Sequence, residues 1–284
     1  MGSFMGMFDY TKEGAGVGKD EKKKKRFFLF FDIYLRKFWR LLNLNVLYSL
    51  FFFPLIITLM NHSIFHPYVK FLLFFLSIIV VSVGTTGFVF VLRNFAIEKH
   101  SFVSADFIQK MLKNFKQGVS FGIINALVLL SLYYAVPLWY TQIDVSQFYY
   151  LPLGICICAA VVFLFMNFYI YLMIVTFKFK MRQILKNAFI FAIVGLKTNF
   201  ITLLCLLLII PYILLCIYIP LFLLLIPVIL LSTFGLIIVF NSFPYLEKYI
   251  IIPYNKEHPE EAKLPGEAPV FSDDLTVSSK EDDN

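Results

Sequence analysis

Between Lys197 and Glu247 lie 49 consecutive residues without a charged side chain. A helix crosses the roughly 30 Å hydrocarbon core of a bilayer with about 20 apolar residues. The run is therefore too long for one crossing and right for two. A turn is expected at Ile219–Pro220, where proline removes a backbone donor and stops the helix; Pro211 and Pro227 are further places for a kink or break. The composition agrees. Phe alone supplies 35 residues, 60% of the chain is apolar and 15% is charged, against about 45–50% and about 25% in soluble domains. With a mean hydropathy of +0.80, the surplus demands lipid as solvent, which excludes soluble enzymes and nucleic-acid modules. The net charge of +7 then reports topology and headgroup contact.

Four further spans are expected at Leu41–Met60, Val69–Leu92, Gly118–Tyr140 and Leu151–Thr176, the last two folding back around the Thr141–Phe148 loop. The expected fold class is all-α, a polytopic membrane protein with six transmembrane helices. Six spans place both termini on the side of the second–third and fourth–fifth connections. Those four segments hold 10, 5, 5 and 4 Lys/Arg in chain order, and the opposite side holds Lys70 alone. The positive-inside rule therefore puts both termini in the cytoplasm. No cleavable signal peptide is expected, because Asp32, Arg36, Lys37 and Arg40 interrupt the apolar stretch that follows the basic run Glu21–Arg26. Residues 1–26 read as a flexible basic tail and 27–254 as the membrane domain. Residues 255–284 read as a disordered acidic tail, residues 256–284 carrying nine acids against three lysines.

Three segments on the basic side share one design, an amphipathic helix leading directly into a span. They are expected at 27–40, 104–117 and 181–194. The first sets Phe27, Phe31, Tyr34, Leu35 and Phe38 on one stripe, with Asp32 and Arg36 paired at i,i+4 on another. The second sets Phe107, Ile108, Met111, Leu112 and Phe115 against Lys110, Lys113 and Lys116, with Ser104 as the expected N-cap and Asp106 in the first turn. The third sets Ile184, Leu185, Ala188, Phe189 and Ala192 against Arg182, Gln183, Lys186 and Asn187. Met111–Asn114 and Ile184–Asn187 also look alike, as a repeat would. Such helices either float at headgroup level or form a docking surface. Lys22, Lys23, Lys24, Lys25 and Arg26, with Lys110, Lys113 and Lys186, are the candidate contacts to anionic lipid headgroups or to a partner.

Chemistry inside the spans is sparse. Their interiors are expected to hold no Asp, Glu, His, Lys or Arg, and no HExxH, GxSxG or Walker sequence occurs. No catalytic, cofactor-binding or metal-binding residue is assigned, and the chain is not expected to be an enzyme. Cys156, Cys158, Cys205 and Cys216 read as small packing residues. The polar candidates are Asn43, Asn45, Asn125, Asn167 and Asn241, either interhelical hydrogen-bond donors or a converging site for a sugar-like ligand. Gly84 and Gly87, in Gly84-Thr85-Thr86-Gly87, either bring helices close or mark a broken helix.

Several stretches carry a resemblance when taken in order. They are Phe27–Phe31, Ile33-Tyr34, Arg36–Trp39, Leu44-Asn45, Leu47-Tyr48 and Pro54-Leu55, then Gly84–Gly87 leading to Val91–Phe95, Ser104–Phe107, Lys113–Gln117 and Asn241–Tyr245. Together they resemble the YesL-like family of bacterial integral membrane proteins, a domain of unknown function, over nearly the whole chain outside the acidic tail. Thr85 departs from the Pro that the family often has after the first glycine. The resemblance implies a Gram-positive plasma membrane and an association with sugar ABC-transporter components; it supplies no site residues. The leading expectation is an accessory role in oligosaccharide uptake through protein contacts. A stand-alone transporter or channel for an uncharged solute, and a membrane-organising or sensing protein, are the alternatives. Ser104-Ala105-Asp106 lacks the rest of an ABC-permease coupling motif, so the chain is not expected to be a permease subunit itself.

Overall fold

The computed structural model describes residues 25–60, 66–219 and 229–257. Lys22–Lys24, the turn at Pro220, Pro227 and most of the acidic tail lie outside them. The described residues are helical, without strands. In chain order the helices are α1 (Arg26–Arg36), α2 (Phe38–Ser49), α3 (Phe53–Met60), α4 (Pro67–Ala96), α5 (Val103–Lys113) and α6 (Phe115–Gln142). Then follow α7 (Tyr150–Thr176), α8 (Met181–Val194), α9 (Leu196–Leu207), α10 (Ile209–Tyr218), α11 (Leu231–Leu246) and α12 (Ile252–Glu257).

Among the described residues, five segments are long and apolar enough to cross a membrane: Phe38–Met60, Tyr68–Ala96, Phe115–Gln142, Gln147–Thr176 and Leu231–Glu257. A sixth is reached only by joining α8 to Leu196–Tyr212, a pair bent by 86°. The protein is therefore all-α and polytopic, with five to six spans where six were expected. The shortfall is local. The segment after Gly195 is interrupted at Leu208, between α9 and α10, because Pro211 cannot donate to the carbonyl of Leu207 and its ring crowds that group. The outer surface is what lipid requires: Phe53, Leu72, Leu127, Tyr133, Ile155 and Leu204 are all exposed. The interior is aromatic-rich, with Phe95, Phe107, Phe121, Phe165 and Tyr169 fully buried.

The three amphipathic helices are present, two of them with shifted ends. The third matches at Met181–Val194, the first ends at Arg36 rather than residue 40, and the second runs Val103–Lys113 rather than 104–117. The shifts share a cause. Each helix meets the next through a single residue in the bridge region of backbone space: Lys37 (φ −102, ψ 9), Asn114 (φ −102, ψ 14) and Gly195 (φ −85, ψ 12). At every joint this residue donates its N–H four residues back, to Ile33, Lys110 or Phe191, and accepts from four residues ahead, Leu41, Gly118 or Asn199. Hydrogen bonding thus runs through the joint while its non-helical ψ redirects the axis. This threefold construction carries the repeat; the four-residue likeness does not, since Met111–Asn114 closes α5 and Ile184–Asn187 lies near the start of α8.

Ser104 is not the N-cap of α5. Phe102 holds that place, and Asp106 caps from within, its Oδ2 accepting from the Phe102 N–H at 2.9 Å and the Ser101 hydroxyl at 2.6 Å. α8 begins alike, Gln183 Oε1 accepting from the Lys180 N–H at 2.9 Å. The second is the reverse arm of a capping box, and Asp106 does the same work from one residue further along. At the far end of the chain, α12 carries helix to Glu257, slightly past the expected boundary at 254.

α4 ends in a Schellman turn, with Glu98 N–H bonded to Phe95 C=O and Lys99 N–H to Asn94 C=O. Glu98 takes the left-handed position at φ 58, the one non-glycine residue with positive φ among those described. Its carboxylate meets Arg36 at 2.9 Å and so ties α1 to α4. Glu98→Gly removes a left-handed strain of about 1–2 kcal/mol and a half-exposed ion pair worth under about 1 kcal/mol. The expected result is unchanged or slightly higher thermal stability of the detergent-solubilised protein, while Glu98→Val should be clearly destabilised.

Candidate functional site

The polar side chains within the bundle bond to one another. Asn45 of α2, fully buried, donates Nδ2–H to Ser232 Oγ at 2.8 Å, and its Oδ1 accepts the Ser232 backbone N–H at the start of α11. Asn125 donates to Tyr171 OH at 3.1 Å, Tyr171 to Ser82 Oγ at 2.9 Å, and Ser82 to the Gly118 carbonyl at 2.8 Å. One directional chain thus joins α6, α7 and α4. Tyr48 OH and Thr85 Oγ1, 2.7 Å apart, add α2 to the same region. Asn241 donates to Thr202 Oγ1 at 3.0 Å, and Thr198 meets Tyr245 OH at 2.7 Å, fixing α11 on α9. Asn167 is different, because its Nδ2 returns to Phe163 C=O within its own helix. The asparagines therefore do not converge. Tyr169, Tyr171, Ser82, Ser232 and Asn199 complete these networks and were not singled out from sequence; isolated polar residues in charge-free runs were the available signal.

The 86° bend at Gly195 is built from the same chemistry. Tyr169 donates to Asn199 Oδ1 at 2.7 Å, while Asn199 Nδ2 donates to the Ala192 carbonyl at 3.1 Å and, at 3.4 Å, to the Phe191 carbonyl that already accepts the Gly195 N–H. A Cβ at Gly195 would lie 2.5 Å from the Tyr169 oxygen, so glycine lets the hydroxyl in.

Gly84 and Gly87 lie in an unbroken α4, which selects packing over a broken helix. A Cβ on Gly84 would lie 2.6 Å from the Phe51 ring, and one on Gly87 would lie 2.5 Å from the Phe107 carbonyl oxygen. Gly87 is where the main chain of α5 rests on α4.

α5 lies across the basic end of the bundle. Arg93, expected just beyond a span, is part of α4's last turn. Its guanidinium donates to Val175 C=O at 3.3 Å, Thr176 Oγ1 at 3.4 Å and Asn94 Oδ1 at 3.1 Å, bracing the end of α7. Arg93 and Lys110 both stand over the Phe90 ring, at 4.7 and 4.6 Å from its centroid, and Lys37 stands over Phe95 at 5.8 Å. Positive charge is poorly balanced here. Burial lowers the Lys37 ammonium pKa, reinforced by Arg40 and Arg36; burial and then Arg93 do the same to Lys99. Lys110 is lowered by burial, then by Lys113 and Arg93.

The other candidate contacts are dispersed. Arg26 is engaged, donating to Phe240 C=O at 2.8 Å and lying over its ring, whereas Lys25, Lys113 and Lys186 are exposed. Phe27, Phe31 and Leu35 of the expected α1 stripe also face outward, and Ile33 turns into the core. Hollows also open to the surface among the described residues. One, of about 420 Å³, is lined by Arg40, Asn43, His100 and Ser104 beside the start of α5. Another, of about 760 Å³, is an apolar groove between α6, α7 and α8 lined by Leu151, Gly154, Cys158, Val162, Met166 and Phe189. Among the described residues no cluster of His, Cys, Asp and Glu could hold a metal. Comparison with known proteins finds no matching family model, no similar curated protein and no similar solved structure.

Proposed function

We propose that the chain is a membrane-embedded scaffold of the bacterial plasma membrane, with both termini cytoplasmic, whose basic end carries a partner in oligosaccharide uptake. One observation supports this reading most: three amphipathic helices are each mounted on a helix through the same one-residue joint. On α5 and α8, basic and apolar side chains stand exposed together, Lys113 beside Leu112 and Lys186 near Phe189 and Ile190. The networks described above use the buried asparagines, tyrosines and hydroxyls for cohesion, which favours a scaffold over a solute path. Orientation follows from the distribution of Lys and Arg. The partner class, subunits of a sugar ABC transporter, follows from the YesL-like resemblance.

The test is in-cell lysine cross-linking followed by mild-detergent purification and mass spectrometry. Recovery of permease or ATPase subunits in stoichiometric amounts, linked through Lys113 or Lys186, is the expected result. Recovery of this chain alone, with sugar flux across liposomes containing only it, would replace the scaffold by a transporter.

A further inference from the structure

Of the five asparagines expected within the spans, four have partners: Asn45, Asn125 and Asn241 join helices, and Asn167 turns back on its own. The Asn43 side chain has none among the described residues. It is exposed, at the basic end of the first span, and lines the hollow of about 420 Å³ beside α5. An amide turned outward there needs a partner that lipid tails do not supply. Three more polar side chains line the same hollow: Arg40 of α2, His100 of the α4–α5 connection and Ser104 of α5. All three are exposed, and none forms a hydrogen bond or an ion pair among the described residues. The wall is held without them. Asp106 accepts from Ser101 and the Phe102 N–H, and the His100 ring stands edge-on to Phe102 with centroids 4.7 Å apart. All four unpartnered side chains can donate, and no carboxylate lines the hollow. Such a wall fits an anion with several oxygens, above all a phosphate, which a guanidinium holds by paired, charge-assisted bonds. Ser104 and Ala105 add the first turn of α5, the end of a helix that favours anions.

We infer that the hollow between α2 and the start of α5 is a binding site for the phosphate of an anionic phospholipid, held by Arg40, Asn43, His100 and Ser104. A free phosphate would present the same oxygens. The surroundings select the lipid. Trp39, next to Arg40, and Phe102, in the wall of the hollow, are both exposed, as aromatic residues at a membrane interface are. Farther into the span, Val46 and Leu50 continue the face of Asn43 at helical spacing, and both are exposed. An acyl chain lying along them leaves its phosphate at Asn43 and Arg40, whereas a soluble anion would use neither feature. The inference is independent of any protein partner and would survive the failure of the scaffold reading.

The test uses the full chain purified in detergent, with thermal stability followed against added phosphatidylglycerol, phosphatidylcholine or inorganic phosphate. Phosphatidylglycerol is expected to raise the midpoint saturably, with the other two inert. Arg40→Gln should weaken the apparent affinity about tenfold, and Asn43→Ala about fivefold. The second variant is the sharper one, because it changes no charge and so cannot act through the general field. Lys186→Gln removes an exposed charge from α8 and should leave the affinity unchanged. Neither Arg40 nor Asn43 bonds another helix, so both variants should keep the midpoint seen without lipid; if Arg40→Gln does not fold, Asn43→Ala decides alone. Equal weakening by Arg40→Gln and Lys186→Gln, with Asn43→Ala silent, would reduce the effect to general headgroup attraction. A shift by inorganic phosphate matching that of phosphatidylglycerol would make the ligand a soluble anion, and an equal shift by phosphatidylcholine would remove the preference for an anionic lipid. Any of these outcomes overturns the site.

Discussion

Gly87→Ala is expected to destabilise the protein by about 1–3 kcal/mol, the usual cost of forcing a methyl into a packed contact. The sign is the informative part. In a helix interior, glycine-to-alanine normally gains about 1 kcal/mol, because alanine loses less backbone freedom on folding. At Gly87 the added carbon would meet the Phe107 carbonyl oxygen at 2.5 Å, with Met111 Cβ at 3.1 Å. A main-chain oxygen cannot swing aside as a side chain can, so α5 must lift from α4. Lifting it uncovers Phe107, which is fully buried, and separates Lys110 from Phe90. Gly154→Ala is the control. It sits in the second turn of α7 with nothing within 4 Å of its added carbon, and should be neutral or stabilising by up to about 1 kcal/mol. Thermal unfolding of both variants in one detergent measures the difference. Faster hydrogen exchange across Val103–Lys113 in Gly87→Ala would locate it. Equal behaviour of the two variants would mean that α5 is not seated on Gly87.

How much of this was legible in sequence depends on whether a feature is local. The first four spans were, because runs such as Val69–Leu92 and Leu151–Thr176 need no knowledge of partners to be read as lipid-facing, whereas the charge-free run Thr198–Leu246 shows only its last part as an unbroken span among the described residues. The amphipathic helices were too, α8 to the residue. Their ends were less so: the joints at Lys37 and Asn114 fall inside continuous helical periodicity, and neither is a strong helix breaker. The cap of α5 was misplaced because Ser104 and Asp106 both suit a helix start, and only the loop geometry shows that Asp106 reaches back to Phe102. Arg93 was expected just beyond a span, and its bracing of α7 was not legible. Nothing local records that the end of α7 would be there to receive it. In the same way, the phenylalanine stripe of α1 was visible, but its direction was set by Phe240 and Thr233, some 200 residues away: Phe30 packs on the former and Tyr34 bonds the latter.

The asparagines make the point testable, since Asn45 and Asn167 look alike in sequence and differ in what they hold. Asn45→Ala is expected to cost about 2–3 kcal/mol, and Asn167→Ala within about 0.5 kcal/mol. Interhelical hydrogen bonds in membrane proteins contribute on average only about 0.6 kcal/mol, because the unfolded chain also finds partners. Asn45 should exceed that mean. Its loss strands a backbone N–H and a hydroxyl, both of the almost fully buried Ser232, and an unsatisfied buried group costs about 1–3 kcal/mol. Asn167 strands nothing: the Phe163 carbonyl that its side chain contacts lies mid-helix in α7, where Asn167 N–H is already its main-chain partner. The consequence should also be regional. Asn45 and Tyr34 reach α11 from the first two helices, so Asn45→Ala should loosen Leu231–Leu246 while leaving the Asn125–Tyr171–Ser82 chain protected from hydrogen exchange. Matching losses at the two asparagines would show instead that they share a task, as contacts to a common ligand would, and would reopen the sugar-site reading.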